Sequence, residues 1–175
     1  MLSDYDFPGA ERVIRTAEPA VQRIRAARDA ADEAGVRVVY ANDIHDQWSC
    51  STEQLCARAM QGSAPELVEP LLPRAGDAFM HKGQHSAFYG TPLAHLLHEE
   101  EIDDLVLTGQ VTEQCVLYTA LDAHVRDYAI TVLEDAVISL DEELGTPALR
   151  MMERNMGARV IPTARFSRSL PPRPA

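Results

Sequence analysis

Apolar positions in residues 17–34 (AEPAVQRIRAARDAADEA) recur at helical spacing. Ala20, Ile24, Ala27 and Ala31 share one face, Arg and Asp fill the other, and Gly35 supplies a stop, so the segment predicts an amphipathic helix. The period then changes. VRVVYA (36–41) is the short, β-branched apolar run expected of a buried parallel strand. Residues 42–76 are mixed: a polar loop, a short helix near 52–60, and a stretch punctuated by Pro65, Pro70 and Pro73. DAFMHK (77–82) predicts a strand, and TPLAHLLHEEE (91–101) a helix with Thr91 as N-cap and Pro92 at the first helical position. DDLVLTG (103–109) reads as a buried strand, Thr112 to Arg126 as a helix, and YAITVLED (128–135) as a strand. Residues 142–156 read as a helix ended by Gly157, and ARVIP (158–162) as the last strand.

Strands alternating with helices imply right-handed crossovers. The expected fold is therefore α/β, a three-layer sandwich around a mostly parallel, Rossmann-like sheet. No repeat or linker interrupts residues 1–162, which predict one domain, and the Pro/Arg-rich tail 163–175 (ending SRSLPPRPA) is expected to be disordered. One strand is missing from this order. The chain opens on a turn (Asp4 to Gly9) and a helix, whereas a doubly wound sheet starts with a central strand. The alternation predicts such a strand ahead of Met1.

Charge narrows the function classes. With 27 acidic and 16 basic residues the net charge is -11, which disfavours a nucleic-acid partner. No apolar run approaches the roughly 18 residues of a membrane span. MLSDYDFPGAE lacks the basic-then-apolar order of a secretory signal, so a cytoplasmic location is expected. Cys50, Cys56 and Cys115 form an odd set without C-x-x-C spacing, which argues against a disulfide framework or zinc ribbon. Of the 16 basic residues only Lys82 is Lys. Arg serves wherever a surface cation suffices, and a buried Lys can exchange a proton where Arg cannot.

Two strand ends gather the candidate chemistry. In LVLTGQVTEQCVLYTALDAHVRDY (105–128), a buried strand gives way at Gly109 to a helix. Thr112 as N-cap would make Cys115 its N3 residue, where unpaired N–H groups and the helix dipole lower a thiol pKa. Carboxyl ends of parallel strands are where α/β sheets bind ligands. In FMHKGQHSAFYGTPLAHLL (79–97), Lys82 ends a strand and so shares that rim. A cation there favours the thiolate.

The pattern K-x-x-x-S-A-F-x-G-T-x-L followed by G-x-x-T-x-x-C-V-x-x-T-A-x-D-A resembles the isochorismatase-like cysteine hydrolases, over nearly the whole chain. The resemblance implies an Asp–Lys–Cys triad, a six-stranded parallel sheet and a homo-oligomer, dimer or tetramer. Carried over, Cys115 is the nucleophile and Lys82 the triad lysine. A cis peptide falls at Gln110–Val111, and the backbone N–H groups of Val111 and Cys115 form an oxyanion hole. The triad Asp falls ahead of Met1, in a pattern like V-I-D-M-x-x-D-F whose Met is Met1 and whose second acidic position is Asp4.

Asp43 and His45 match a D-x-H pair that supplies metal ligands in nicotinamidases, but two ligands do not make a site. A polar rim loop is the reading adopted, with no metal and no cofactor. Trp48, Phe88 and Tyr118 are candidates for an apolar pocket wall, His85 lines the pocket or faces solvent, and Cys50 and Cys56 read as structural. The expected activity is hydrolysis of an amide or related C–N bond in a small molecule, through a thioester. Two alternatives stand beside it: a metal-dependent nicotinamidase, and a truncated or degenerate thiol protein without catalysis.

Overall fold

The structure is a computed structural model, and it describes residues 1–44 and 49–171. In chain order it runs α1 (Ala10–Ala34), β1 (Val39–Asp43), α2 (Thr52–Met60), α3 (Pro65–Val68), a 3-10 turn (Glu69–Leu71), β2 (Ala78–Lys82), α4 (Leu93–Glu99) and β3 (Asp104–Gln110). A π-helical turn (Thr112–Val116) then leads into α5 (Leu117–His124), β4 (Ala129–Ile138), α6 (Glu142–Met156), β5 (Arg159–Ile161) and α7 (Thr163–Ser169). All strand pairs are parallel, and helices cover both faces. The fold is α/β, as the alternation predicts.

The faces of β4 show how the layers form. Ile130 and Val132 point into a core shared with Ala120 and Ala123 of α5 and Met152 of α6. Leu133 and Ala136 meet Ala27 of α1 and Phe166 of α7 on the other side. Helix α1 starts at Ala10, a turn and more before the predicted segment, because Val13 and Ala17 extend the buried stripe of Ala20 and Val21. Its far end closes at Gly35 (φ 71°), a left-handed position suited to glycine. Strand β1 begins later than VRVVYA suggests: Val36 is exposed, and pairing runs from Val39 to Asp43.

Residues 163–169, expected to belong to an unstructured tail, are helical instead. Composition hid two anchors. Phe166 is buried, and Asp135 Oδ1 accepts from the Thr163 N–H (2.8 Å) and hydroxyl (2.7 Å).

Among the described residues the ladders form two sheets, β1–β2 and β3–β4–β5. The first residues of the chain sit between their carboxyl ends. Buried Asn42 on β1 accepts from the Leu2 N–H (3.2 Å) and donates to the Leu2 carbonyl (2.9 Å). Met1 lies against Gly109 of β3 from the other side. The edges of β1 and β3 are thus bridged at this end by Met1 and Leu2 rather than by a ladder. No helix among the described residues is long and apolar enough to cross a membrane.

Replacing Phe166 with Ala should cost about 3–5 kcal/mol, since it empties a buried contact between α7, α1 and β4. A shift in the urea midpoint measures it. An unchanged midpoint would return the segment to the status of a loose tail.

Candidate active site

Parallel register builds the first half of the site. Asp43 pairs with Lys82 across β1 and β2, so both side chains emerge at the carboxyl rim. The Lys82 side chain is only 3% exposed and its ammonium is fully engaged. It donates to Asp43 Oδ1 at 2.7 Å, to the Gln84 carbonyl at 3.1 Å and to Cys115 Sγ at 3.4 Å. A buried cation costs several kcal/mol unless partners surround it, and here they do.

The second half comes from the end of β3. Gly109 takes φ 111°, which a side chain would resist, and the Gln110–Val111 peptide is cis. The chain then winds into the π turn, where the Val111 carbonyl accepts from both Gln114 N–H and Val116 N–H at 3.1 Å. This differs from the predicted cap. Thr112 does not cap the turn: Val111 precedes the first helical residue, and the buried Thr112 hydroxyl has no hydrogen-bond partner among the described residues. Glu113 fixes the turn from outside, accepting from the N–H groups of Leu140 (2.9 Å) and Asp141 (2.8 Å). Cys115 is left half-buried, facing Lys82.

Of the proposed pocket walls, Tyr118 stands at the rim, 45% exposed and stacked on His85 with centroids 5.5 Å apart. Phe88 belongs to the hydrophobic core. It is buried, stacked on Tyr128, with the Arg126 guanidinium 5.0 Å over its ring. Trp48 and His45 lie outside the described residues. His85, which sequence reasoning gave no chemical role, brings Nδ1 to 3.8 Å from Cys115 Sγ. The Met1 amino group is also buried here, 3.5 Å from Asn42 Oδ1. Burial pushes it down to about 6, against the opposing pull of Asp43 and Cys115.

The described residues do not fit a metal centre. No three His, Cys, Asp or Glu side chains among them converge, and Asp43 Oδ1 already faces the Lys82 ammonium. A dication beside that ammonium would be repelled by it.

A fold and a rim of this kind define an α/β protein with a cysteine set against a buried lysine, and the family follows from comparison. The model of the isochorismatase domain matches residues 5–165, and the chain belongs to that family. The uncharacterized isochorismatase family protein YaaI of Bacillus subtilis is 29% identical over 160 residues, 91% of this chain and 88% of its own length. The ureidoacrylate amidohydrolase RutB of Methylorubrum extorquens is 33% identical over 156 residues, 75% of this chain. The match spans 60% of that relative's length. The crystal structure of N-carbamoylsarcosine amidase from Thermoplasma acidophilum superposes with a TM-score of 0.68 at 30% identity, covering 85% of each chain. Family members are thus hydrolases, amidohydrolases among them.

The three thiols should separate in reactivity. Burial, and secondarily the charge of Glu53, pushes the Cys56 thiol above its usual range, so little thiolate forms there near neutral pH. Alkylation followed by peptide mapping should modify Cys115 first and Cys56 last. Faster labelling of Cys50 or Cys56 in the native protein would remove Cys115 as nucleophile.

Proposed function

We propose that this chain is a cysteine-dependent hydrolase that cleaves an amide or ureido C–N bond in a small molecule through a thioester. The observation that carries this reading is the contact of Cys115 Sγ with a buried lysine ammonium at the end of a parallel sheet. The Lys82 charge stabilises the thiolate, and Asp43 holds Lys82 in place. The thiolate attacks the carbonyl carbon, and the N–H groups of Val111 and Cys115 donate to the oxygen that becomes negative. Such donors contribute several kcal/mol because they are fixed before charge develops. The proton lost by the thiol ends on the nitrogen as the C–N bond breaks, leaving the free amine or ammonia and the thioester. Water then attacks it, releasing the acid and regenerating the thiol.

The names of two relatives, ureidoacrylate amidohydrolase and N-carbamoylsarcosine amidase, both carry a carbamoyl C–N bond. Small N-carbamoyl compounds and primary amides are therefore the first panel to screen, with ammonia release as the readout. Turnover should vanish in Cys115→Ala, and the wild-type chain quenched during turnover should carry a mass adduct on Cys115. A substrate turned over equally well by Cys115→Ala would sink the reading. We place the enzyme in the cytoplasm as a homo-oligomer. Tyr118, Leu121 and Val125 support the latter, since they expose one apolar face at α5.

Lys82→Arg should lower kcat by at least about 100-fold while the fold survives. Arg keeps the charge, but its planar head does not fit a pocket whose three acceptors surround one ammonium. Near-normal turnover would reduce Lys82 to a structural cation. Dialysis against a chelator should leave turnover unchanged, whereas loss with recovery on adding zinc or iron would favour a metal-dependent nicotinamidase.

A further inference from the structure

Helices α5 and α6 pack side by side on one face of the sheet. Against it α5 buries Thr119, Ala120 and Ala123, and α6 buries Gly145, Ala148 and Met152. Their outer sides are apolar too. Tyr118, Leu121 and the C-cap residue Val125 follow i, i+3, i+7 spacing on α5, and Leu144, Pro147 and Met151 repeat it on α6. All six are exposed, the five besides proline by 44% to 64%. Scattered apolar residues on a surface are ordinary, but two matched rows on neighbouring helices are a patch.

Helical geometry shows that the rows adjoin. At about 100° per residue the α5 row stands opposite that helix's buried residues, whereas the α6 row lies at about a right angle to its own. Leu144 lines a hollow together with Glu113 and Gln114, just ahead of α5, so the α6 row flanks the groove between the two helices.

The charges beside the patch indicate what covers it. On α5, Asp122 and Arg126 pair with each other at 2.7 Å, and Arg126 also covers Phe88. On α6 the charges are left open. Glu143 stands in the first turn, Arg154 in the last, and Arg150 one turn before it. All three are exposed, and among the described residues none of their side chains has a hydrogen-bond or ion-pair partner. Pro147 lies between the two signs and has no N–H to give the Glu143 carbonyl four residues back.

A second copy of this chain complements such a surface. A helix that is acidic at one end and basic at the other pairs with itself when the two copies run antiparallel. With Pro147 at the axis, Leu144 and Met151 lie roughly 5 Å to either side of it, so each meets the other across the axis. Glu143 then faces Arg150 of the partner subunit, and the same contacts recur in reverse, as a two-fold axis requires.

We propose that α5 and α6 form a two-fold interface between copies of this chain, with α6 antiparallel to α6. This rests on the homo-oligomer reading, adds its surface and symmetry, and is independent of the chemistry at Cys115. The face reaches the candidate site through Tyr118, whose ring is stacked on His85 with centroids 5.5 Å apart. A second copy covers the open side of that ring and steadies one edge of the rim.

Sedimentation of the full chain over a dilution series measures the dimer dissociation constant. Leu121→Glu and Met151→Glu should each raise it at least about 100-fold, since every substitution counts twice across the axis. Circular dichroism should stay unchanged, because both side chains face solvent within one protomer. Glu143→Arg should raise the constant about tenfold, and adding Arg150→Glu should restore most of the loss. This pair decides the matter if a glutamate variant unfolds. A double variant no tighter than Glu143→Arg would overturn the antiparallel arrangement. An oligomer indifferent to Leu121→Glu and Met151→Glu would keep the homo-oligomer reading and overturn this interface. A chain that is monomeric at every concentration would overturn both and leave the face to a different protein.

Discussion

Everything at this rim depends on keeping one ammonium charged inside the protein. Lys82 is nearly inaccessible, and a cation so placed is tolerated only where each of its protons meets an acceptor. The three acceptors come from three places: the end of β1, the loop after β2 and the turn after β3. The register of β1 against β2 sets Asp43 beside Lys82, and slipping it by one residue would turn one of them to the other face. The ion pair is therefore less a source of stability than a condition that the sheet must meet. Its asymmetry is informative: the Asp43 side chain is 42% exposed while that of Lys82 is 3% exposed, so water relieves the carboxylate but the lysine relies on protein alone.

The wide turn after β3 explains why a thiol can serve as that third acceptor. An α-helical start would bond each N–H four residues back and progress steadily away from the strand. Here Val116 reaches back five residues to Val111, which broadens the first turn and holds Cys115 over the strand end, facing β2. Such single π turns recur at functional sites because they displace side chains without breaking a helix. The Glu113 carboxylate, accepting from the start of α6, and the packing of α5 on β4 prevent the turn from relaxing.

Much of this was legible in the sequence. Period and β-branching located the strands, and a solitary Lys in an Arg-rich chain marked the buried cation. What escaped was nonlocal. Thr112 looks like an N-cap because caps are recognised by residue type and offset, but the turn that follows is not α-helical. For Phe88 the sequence left pocket wall and core packing equal, and it is Arg126 and Tyr128, far along the chain, that pack on its ring. The composition of residues 163–175 suggested disorder, and no local signal announces that Asp135 would accept from Thr163. His85 is the clearest case. Its approach to Cys115 is made by the path of an irregular loop, which has no periodicity to read.

That loop changes how the S-A-F-x-G-T segment should be understood. Several of its residues are structural rather than chemical. Ser86 bonds the Phe88 N–H, Thr91 bonds the Ala87 carbonyl, Ala87 is tied to Thr119 and Phe88 is wedged beneath Arg126. Between them they fasten the loop to α5, the helix that continues from Cys115. The lysine before this segment and the cysteine before α5 are thus joined by one cross-brace as well as by their strand ends. Groups set in place in advance are what lowers the cost of charge movement in a transition state. His85 lies inside the braced span.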